Sequence, residues 1–339
     1  MELIFNNLEV VWFILITVLF AGFFLLEGFD YGTGILLPFI GKTDVERRQM
    51  INALGPVWDG NEVWMITAGG ALFASFPHVY ATLFSGFYLA LFLMLEALII
   101  RGVSFEFRSK SPNLLWRKTF DYCIFFGSLI PALLWGVTVG NLIQGTPIDE
   151  TMTYVGTFWD LLSPYTVLCG VAFILVFTYH GGLFTSLKTA GPVSERARAA
   201  ALVTGVPTAI GVIALIITSY VCTDLYNSTL AIVFCALAVV CFLISWGATR
   251  TRNTKWGFLF SSLSIILITA TYFAGLFPRI MVSSLNPAWS LTITNTSSSE
   301  YTLALMTAVA AVFVPIVLAY QIWVYWIFRH RVTEKDLHY

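Results

Sequence analysis

The chain has 339 residues, of which 58% are hydrophobic and only 11% are charged, and its mean hydropathy is +0.81. Because soluble domains carry roughly a quarter charged residues, this composition excludes a soluble protein and predicts a polytopic membrane protein. The net charge of −1 offers no basic surface for nucleic acid.

Nine apolar stretches of about 20 residues are predicted as transmembrane helices of a single all-α domain over residues 1–339. No Lys or Arg precedes Lys42, so we expect the first stretch to be a span and not a cleavable signal peptide. The segment 279–302 is rich in Ser, Thr and Asn and is predicted as a solvated loop. The predicted spans are 8–28, 54–74, 79–100, 120–143, 164–187, 200–220, 229–248, 256–278 and 303–328.

The basic residues predict the orientation of these spans. If the N-terminus lies outside, every Lys and Arg except Arg279 falls in an inner connection or on the C-terminal tail. The positive-inside rule then favours nine spans with the N-terminus outside and the C-terminus inside, because adding or losing one span would scramble the alternation.

Five carboxylates lie inside or at the edge of the first three predicted spans: Glu27, Asp30, Asp59, Glu62 and Glu96. All five are predicted in the cytoplasmic half of the membrane, with the first two closing span 1. A carboxylate in hydrocarbon is costly, so such groups normally face a protein interior, a wet cavity or a proton route. Glu27 and Asp30 are spaced i,i+3, as are Asp59 and Glu62, and this spacing places both members of each pair on one helix face. Buried carboxylates can exchange protons near neutral pH, so we interpret the group as a proton pathway.

A structural role is the alternative for Glu27, Asp30 and Glu62, as helix caps or as partners of nearby arginines (Arg47, Arg48 and Arg101). The remaining two, Asp59 and Glu96, lie deeper in their spans. For these two we favour a function or a contact between subunits. The neighbouring amide of Asn61 is expected to bond a carboxylate or an ordered water.

The chain offers few candidate ligands for a redox centre. Of its four histidines, His180 alone is predicted within the membrane, and a lone His is more often structural than a metal ligand. The five cysteines form no CxxC pair and are expected to be buried hydrophobes. We therefore predict no metal ligands and no catalytic residues in this chain. Two tryptophans, Trp58 and Trp64, flank Asp59 and Glu62 and are interpreted as packing residues, although an apolar tunnel for a small gas would look the same.

Several longer motifs occur in order along the chain: GFDYGTG, ERRQMIN, GPVWDGNEVWMITAGGALFASFPHVYA and RGVSFEFR, followed by GNLIQG, FSSL, SLTITNTSSSEYTLALMT and VPIVLAYQIWVYW. Together they resemble subunit II of the cytochrome bd quinol oxidases over nearly the whole chain. The resemblance implies two four-helix bundles plus one peripheral helix, in a multi-pass protein of a bacterial or archaeal cell membrane.

The resemblance also implies a partner. A homologously folded subunit I would carry two b-type haems, the d-type haem and the quinol-oxidising loop, while subunit II binds no cofactor directly. The complex would reduce O2 to water with cytoplasmic protons. A small single-span accessory subunit and contacts with membrane lipid or quinone are further partners of this family.

By motif, three residues acquire roles from the resemblance. Asp59 corresponds to the aspartate of the WDGN motif on a proton route, Asp30 to the GFD aspartate, and Trp64 to a tryptophan lining a proposed O2 passage. Two alternatives stay open. A proton-coupled secondary transporter would usually show paired repeats and a midplane site, which are not evident here. In a purely structural assembly subunit, the acids would only fix an interface.

Overall fold

The computed structural model describes residues 7–337, and their architecture is mainly helical. The predicted all-α class is confirmed. Eleven α-helices are described: α1 Leu8–Ile40, α2 Asp44–Leu54, α3 Trp58–Ser75, α4 Pro77–Gly86, α5 Tyr88–Phe107, α6 Leu114–Gln144, α7 Pro164–Lys188, α8 Pro192–Cys222, α9 Thr229–Arg250, α10 Thr254–Leu276 and α11 Glu300–Ile327. Two short strands, β1 Arg279–Met281 and β2 Leu291–Thr292, pair antiparallel inside the predicted solvated loop.

Eight of the described helices are long and apolar enough to cross a membrane. Helix α3, which covers most of the predicted span 54–74, is not among them. Its first turn and a half carries three strongly polar side chains, Asp59, Asn61 and Glu62, and these lower its hydropathy.

Two helix boundaries differ from the prediction in ways that affect the acidic residues. Helix α1 continues through Glu27 and Asp30 to Ile40, so these carboxylates lie within the helix and do not close it. The predicted span 79–100 is divided between α4 and α5 by a bend at Phe87, where the backbone hydrogen bonds nevertheless continue. Helix α5 then extends to Phe107, which places Arg101 inside it.

Helix α1 lies at the centre of the fold, packed against α3, α6 and α7. Its contact with α7 depends on glycine. A Cβ atom on Gly32 would lie 1.8 Å from the carbonyl oxygen of Phe177, and one on Gly181 would lie 2.3 Å from the carbonyl carbon of Gly32. The two backbones therefore touch, as in the small-residue contacts typical of membrane helices. Further pairs form between α7 and α8, and between α9 and α10.

Helix α11 stands apart from this arrangement. Leu303 is its one buried residue within the described chain, and its main neighbours are α1 and α3. Near its start, the indole of Trp12 donates to the Leu303 carbonyl at 3.2 Å and to the Thr307 hydroxyl at 3.0 Å. Beyond its end, the tail bonds to the α7–α8 connection through the backbone of Val332.

The connections gather at two ends of the bundle. One, here called the basic end, joins the α1–α2, α5–α6 and α7–α8 connections to the C-terminal tail through ion pairs and backbone bonds. At the other end, β1 and β2 lie beside the segment after α6, where Thr146 pairs with Ser283. There Arg279 forms an ion pair with Asp224 at 2.7 Å.

Candidate functional site

A buried ion cluster occupies the junction of α1, α3 and α5. The Arg101 Nη1 donates to both carboxylate oxygens of Glu27, at 3.1 and 3.2 Å, and to Glu62 Oε1 at 3.3 Å. Its Nη2 lies 4.0 Å from Asp30 Oδ2. The side chains of Arg101, Glu27 and Asp30 are fully buried, whereas Glu62 keeps 19% of its side chain exposed. We call these four residues the Arg101 cluster.

Local sequence explains how the cluster forms. The i,i+3 spacing of Glu27 and Asp30 turns both carboxylates to the same side of α1, as predicted, and that side faces α5. Behind Arg101, α6 comes close because it carries Gly127, where a Cβ would lie 2.7 Å from Arg101 Cβ. The backbone and Cβ of Arg101 thus pack against α6, while its guanidinium faces three acids and lies 4.9 Å from the centroid of the Tyr31 ring.

The charge of the cluster defines what it can do chemically. One guanidinium faces three carboxylates, so full ionisation would leave two uncompensated negative charges. Uncompensated charge away from water is strongly unfavourable, and such sites bind protons instead. The Arg101 cluster is therefore suited to holding and releasing protons.

An amide extends the cluster towards α11. Asn61, fully buried, donates from Nδ2 to Asp30 Oδ2 at 2.8 Å and accepts at Oδ1 from the Tyr325 hydroxyl at 2.7 Å. The expected bond from Asn61 to a carboxylate is thus present. Tyr325 was not identified from the sequence, although Gln321 and Tyr325, spaced i,i+4 in an apolar helix, are a recognisable polar face.

The structure does not bring Asp59 and Glu96 into this cluster. Both are exposed on the surface of the chain, whereas Glu27 and Asp30 are the buried members. Glu96 lies among exposed apolar side chains of α5, including Phe92 and Ile99. A carboxylate on an apolar helix face normally meets water or a polar partner.

Trp64 lies wedged between α1 and α11. A Cβ on Gly22 would lie 2.1 Å from its ring, and its indole nitrogen donates to Gln321 Oε1 at 2.9 Å. Next to it, Met65 and Ile66 line an apolar cavity of about 640 Å³ between α1, α3, α4, α5 and α6. The Trp64 ring thus packs against α1 and bonds α11, while the next two residues of α3 line the cavity.

His180 is fully buried with both ring nitrogens engaged. Nε2 lies 3.2 Å from the Leu25 carbonyl, which can only accept, and Nδ1 lies 2.9 Å from the Ser261 hydroxyl. The proton therefore belongs on Nε2, and Nδ1 accepts from Ser261. The ring also stacks on Phe258 at 4.8 Å. Across residues 7–337, no group of three or more His, Cys, Asp or Glu side chains is placed to hold a metal ion.

A second ion network, also missed from the sequence, lies at the basic end. Arg108 is almost fully buried and donates to Asp121 at 2.6 Å and to Asp44 at 3.0 Å. Arg47 and Arg117 complete the network by pairing with Asp121 and Asp44 respectively. Arg47 had been considered as a partner for the membrane carboxylates, but the structure pairs it with Asp121. The network joins the starts of α2 and α6 to the end of α5.

Comparison with known proteins identifies the family. The model of the family described as cytochrome bd terminal oxidase subunit II matches residues 8–328. The chain belongs to this family. It is 41% identical to the cytochrome bd ubiquinol oxidase subunit 2 of Bacillus subtilis, covering 97% of this chain and 98% of that protein. It is 39% identical to the cytochrome bd-I ubiquinol oxidase subunit 2 of Escherichia coli K12, covering 97% and 96%.

A solved bd oxidase shares the fold. A chain in the structure of bd oxidase from Geobacillus thermodenitrificans superposes with a TM-score of 0.77 at 17% identity, covering 95% of this chain and 98% of that one. The family resemblance read from the motifs is therefore confirmed. Membership in a terminal oxidase family also favours an oxidase subunit over a free-standing secondary transporter.

Proposed function

We propose that this chain is subunit II of a quinol:O2 oxidoreductase in a bacterial cell membrane, and that its Arg101 cluster supplies protons for oxygen reduction. The observation that carries the proton role is the fully buried excess of carboxylate around a single guanidinium. The names of its relatives, ubiquinol oxidase subunits, support quinol as the electron donor of the complex.

The redox cofactors of such a complex belong, in this proposal, to subunit I. Haem iron requires axial His, Met or Cys ligands. The buried histidine of this chain, His180, has both nitrogens committed to protein partners, and its ring is stacked on Phe258. Its surroundings therefore do not fit a haem ligand, and we route no electron transfer through this chain.

We propose nine spans with the basic end in the cytoplasm. The clustering of the connections that carry most Lys and Arg residues at one end supports this orientation. Helix α3 would then cross the membrane despite its polar first turns, because Asn61 and Glu62 point into the protein. There Asn61 bonds Asp30, and Glu62 accepts from Arg101. The same orientation places the Arg101 cluster in the cytoplasmic half of the bilayer.

The proton route would begin at the chain's surface and end in the cluster. Asp59 is exposed, and Glu62, one turn along α3, is partly exposed and bonded to Arg101. The same Arg101 nitrogen contacts Glu27, so Glu62 and Glu27 share one donor. We propose that a proton passes from Asp59 to Glu62, then to the buried pair Glu27 and Asp30.

The exposed face of α5 is the surface that we assign to subunit I. Glu96 stands there among apolar side chains, and subunit I would supply its polar partner. The apolar cavity lined by Met65 and Ile66, the two residues after Trp64, offers a passage for O2. Its size and apolar lining also suit an acyl or isoprenoid tail, which is how we expect lipid or quinone to contact this chain.

The test uses the purified complex carrying Glu27→Gln, Asp30→Asn or Asp59→Asn, with Glu195→Gln as the matched control. Glu195 is an exposed acid whose ion pair within residues 7–337 is with Arg198 at 3.0 Å, so its neutralisation leaves the proposed route intact. We expect quinol oxidase turnover to fall at least about tenfold in the route variants with normal haem content in reduced-minus-oxidised spectra. Unchanged turnover in all three would refute the proton role. Loss of haem or of subunit I in each would instead assign the acids to assembly.

A further inference from the structure

A directional hydrogen-bond chain connects the last helix to the buried acid. The Tyr325 hydroxyl donates to Asn61 Oδ1 at 2.7 Å, and Asn61 Nδ2 donates to Asp30 Oδ2 at 2.8 Å. Building on the proton role proposed above, we propose that Tyr325 is a positioning residue which, through Asn61, selects the oxygen of Asp30 that takes up the proton.

The direction of the chain follows from the chemistry of its members. A side-chain amide has a donating end and an accepting end, and a carboxylate can bond only the donating one. The Tyr325 hydroxyl occupies the accepting end of Asn61 and so holds the amino group towards Asp30. Without that hydroxyl, among residues 7–337 the ionised Asp30 alone favours this orientation, and a protonated Asp30, which can donate, would bond the amide oxygen equally well.

The consequence falls on the two oxygens of Asp30. Oδ2 accepts from Asn61 and lies 4.0 Å from Arg101 Nη2. Oδ1, also buried, has no hydrogen-bond partner within the described chain. A proton arriving at Asp30 therefore binds Oδ1, because Oδ2 is already occupied by a donor. Fixing Asn61 thus fixes which oxygen receives the proton and which way it faces.

Helix α11 controls this geometry. A second bond joins the same two helices one turn away: the Trp64 indole on α3 donates to Gln321 Oε1 on α11 at 2.9 Å, whereas Tyr325 on α11 donates to Asn61 on α3. The two bonds use i,i+3 positions on α3 and i,i+4 positions on α11, so they form a two-rung ladder between the helices. Because α11 is otherwise little buried in this chain, its seating against α3 depends on such bonds.

The titration of Asp30 also responds to its other neighbours, and a test must separate their effects. The ionisable groups around it lie on four helices: Glu27 and Tyr31 on α1, Glu62 on α3, Arg101 on α5 and Tyr325 on α11. A Tyr325→Phe substitution removes the hydroxyl, keeps the aromatic ring and leaves Glu27, Glu62, Arg101 and Tyr31 unchanged. Its effect therefore reports the hydroxyl alone.

The experiment compares Tyr325→Phe, Asn61→Leu and the double variant in the purified complex, with Tyr320→Phe as the matched control. Tyr320 lies on the same helix but is 62% exposed. We expect Tyr325→Phe to lower turnover at pH 7 at least about threefold and to displace the pH profile of turnover, with haem content unchanged. The double variant should be no worse than Asn61→Leu, because both substitutions break one chain.

Three results separate this inference from the function on which it rests. If Tyr325→Phe keeps the wild-type pH profile while Glu27→Gln and Asp59→Asn lose turnover, the positioning role is wrong and the proton route stands. If none of these variants loses turnover, the proton route itself is wrong. Additive losses in the double variant would show that Tyr325 and Asn61 act independently, and this would overturn the inference. An equal effect of Tyr320→Phe would also overturn it, because the loss would then not be specific to the Tyr325 hydroxyl.

Discussion

Removing the cation of the Arg101 cluster should be among the most destabilising single changes in this protein. Arg101→Met keeps the volume and apolar stem of the side chain but leaves Glu27 and Asp30 buried without their counter-charge. Breaking a buried ion pair by deleting one partner typically costs about 3–5 kcal/mol. The guanidinium also bonds Glu62 and lies over the rings of Tyr31 and Phe105, so we expect a loss at the upper end of that range.

The compensating double variant tests the reasoning. Arg101→Met together with Glu27→Gln removes one of the two stranded carboxylates as well as the cation, so its loss should be at least about 1 kcal/mol smaller than the sum of the two single losses. Arg117→Met is the control: Arg117 pairs with Asp44 at 2.8 Å, but both side chains are about a third exposed, and we expect a loss below about 1 kcal/mol. The assay is denaturant unfolding of the complex in mixed micelles. Strict additivity, or equal losses for Arg101→Met and Arg117→Met, would refute the ion-cluster argument.

Two further predictions concern packing and the basic end. Gly32→Ala should lower the free energy of unfolding by about 1–3 kcal/mol, because its methyl group would meet the backbone carbonyl of Phe177 and not a movable side chain. The control is Gly247→Ala, which has nothing within 4 Å of its added carbon and should change the free energy of unfolding by no more than about 0.5 kcal/mol in the same assay. At the basic end, burial opposes ionisation of Glu46, but hydrogen bonds from Arg196 and two backbone amides lower its pKa. The contribution of ionised Glu46 to stability should therefore be present at neutral pH and be lost as the pH falls through that lowered pKa. The Glu46→Gln variant should be less stable than the native chain at pH 7 and equal to it in acid. A difference in stability that stays constant across pH would contradict this prediction.

The sequence predicted the helical class and the acids because hydropathy and charge are properties of short segments. The i,i+3 spacing of Glu27 and Asp30 was enough to place both on one face of α1. Hydropathy did not predict where α1 ends, because the segment after Asp30 is stabilised as helix by burial against α6 and α7. The division of the third predicted span at Phe87 is equally a matter of local backbone geometry, which composition does not encode.

The sequence could not predict which of the five acidic residues are the most buried. The predicted position within a span favoured Asp59 over Glu27 as a functional residue, yet Asp59 is exposed and Glu27 has no exposed surface. Which face of a helix is buried depends on its neighbours, and Arg101, which buries Glu27, lies 74 residues further along the chain. The Asn61–Tyr325 bond joins residues 264 apart. Such pairings have no local signal, although each member is visible as a polar side chain in an apolar helix.

Single helices of this chain carry both a buried polar residue and an exposed acid, and in our proposal this arrangement would give the cluster a route to subunit I. On α5, Arg101 points inward and Glu96 points outward; five residues apart on a helix, they project about 140° from each other. On α3, Asn61 is buried and Asp59 is exposed. The wall between the Arg101 cluster and a subunit docked on α5 is therefore one helix thick. If subunit I docks on α5 as we propose, protons held by the cluster would need to pass only between α3 and α5, where Glu62 is partly exposed and bonded to Arg101.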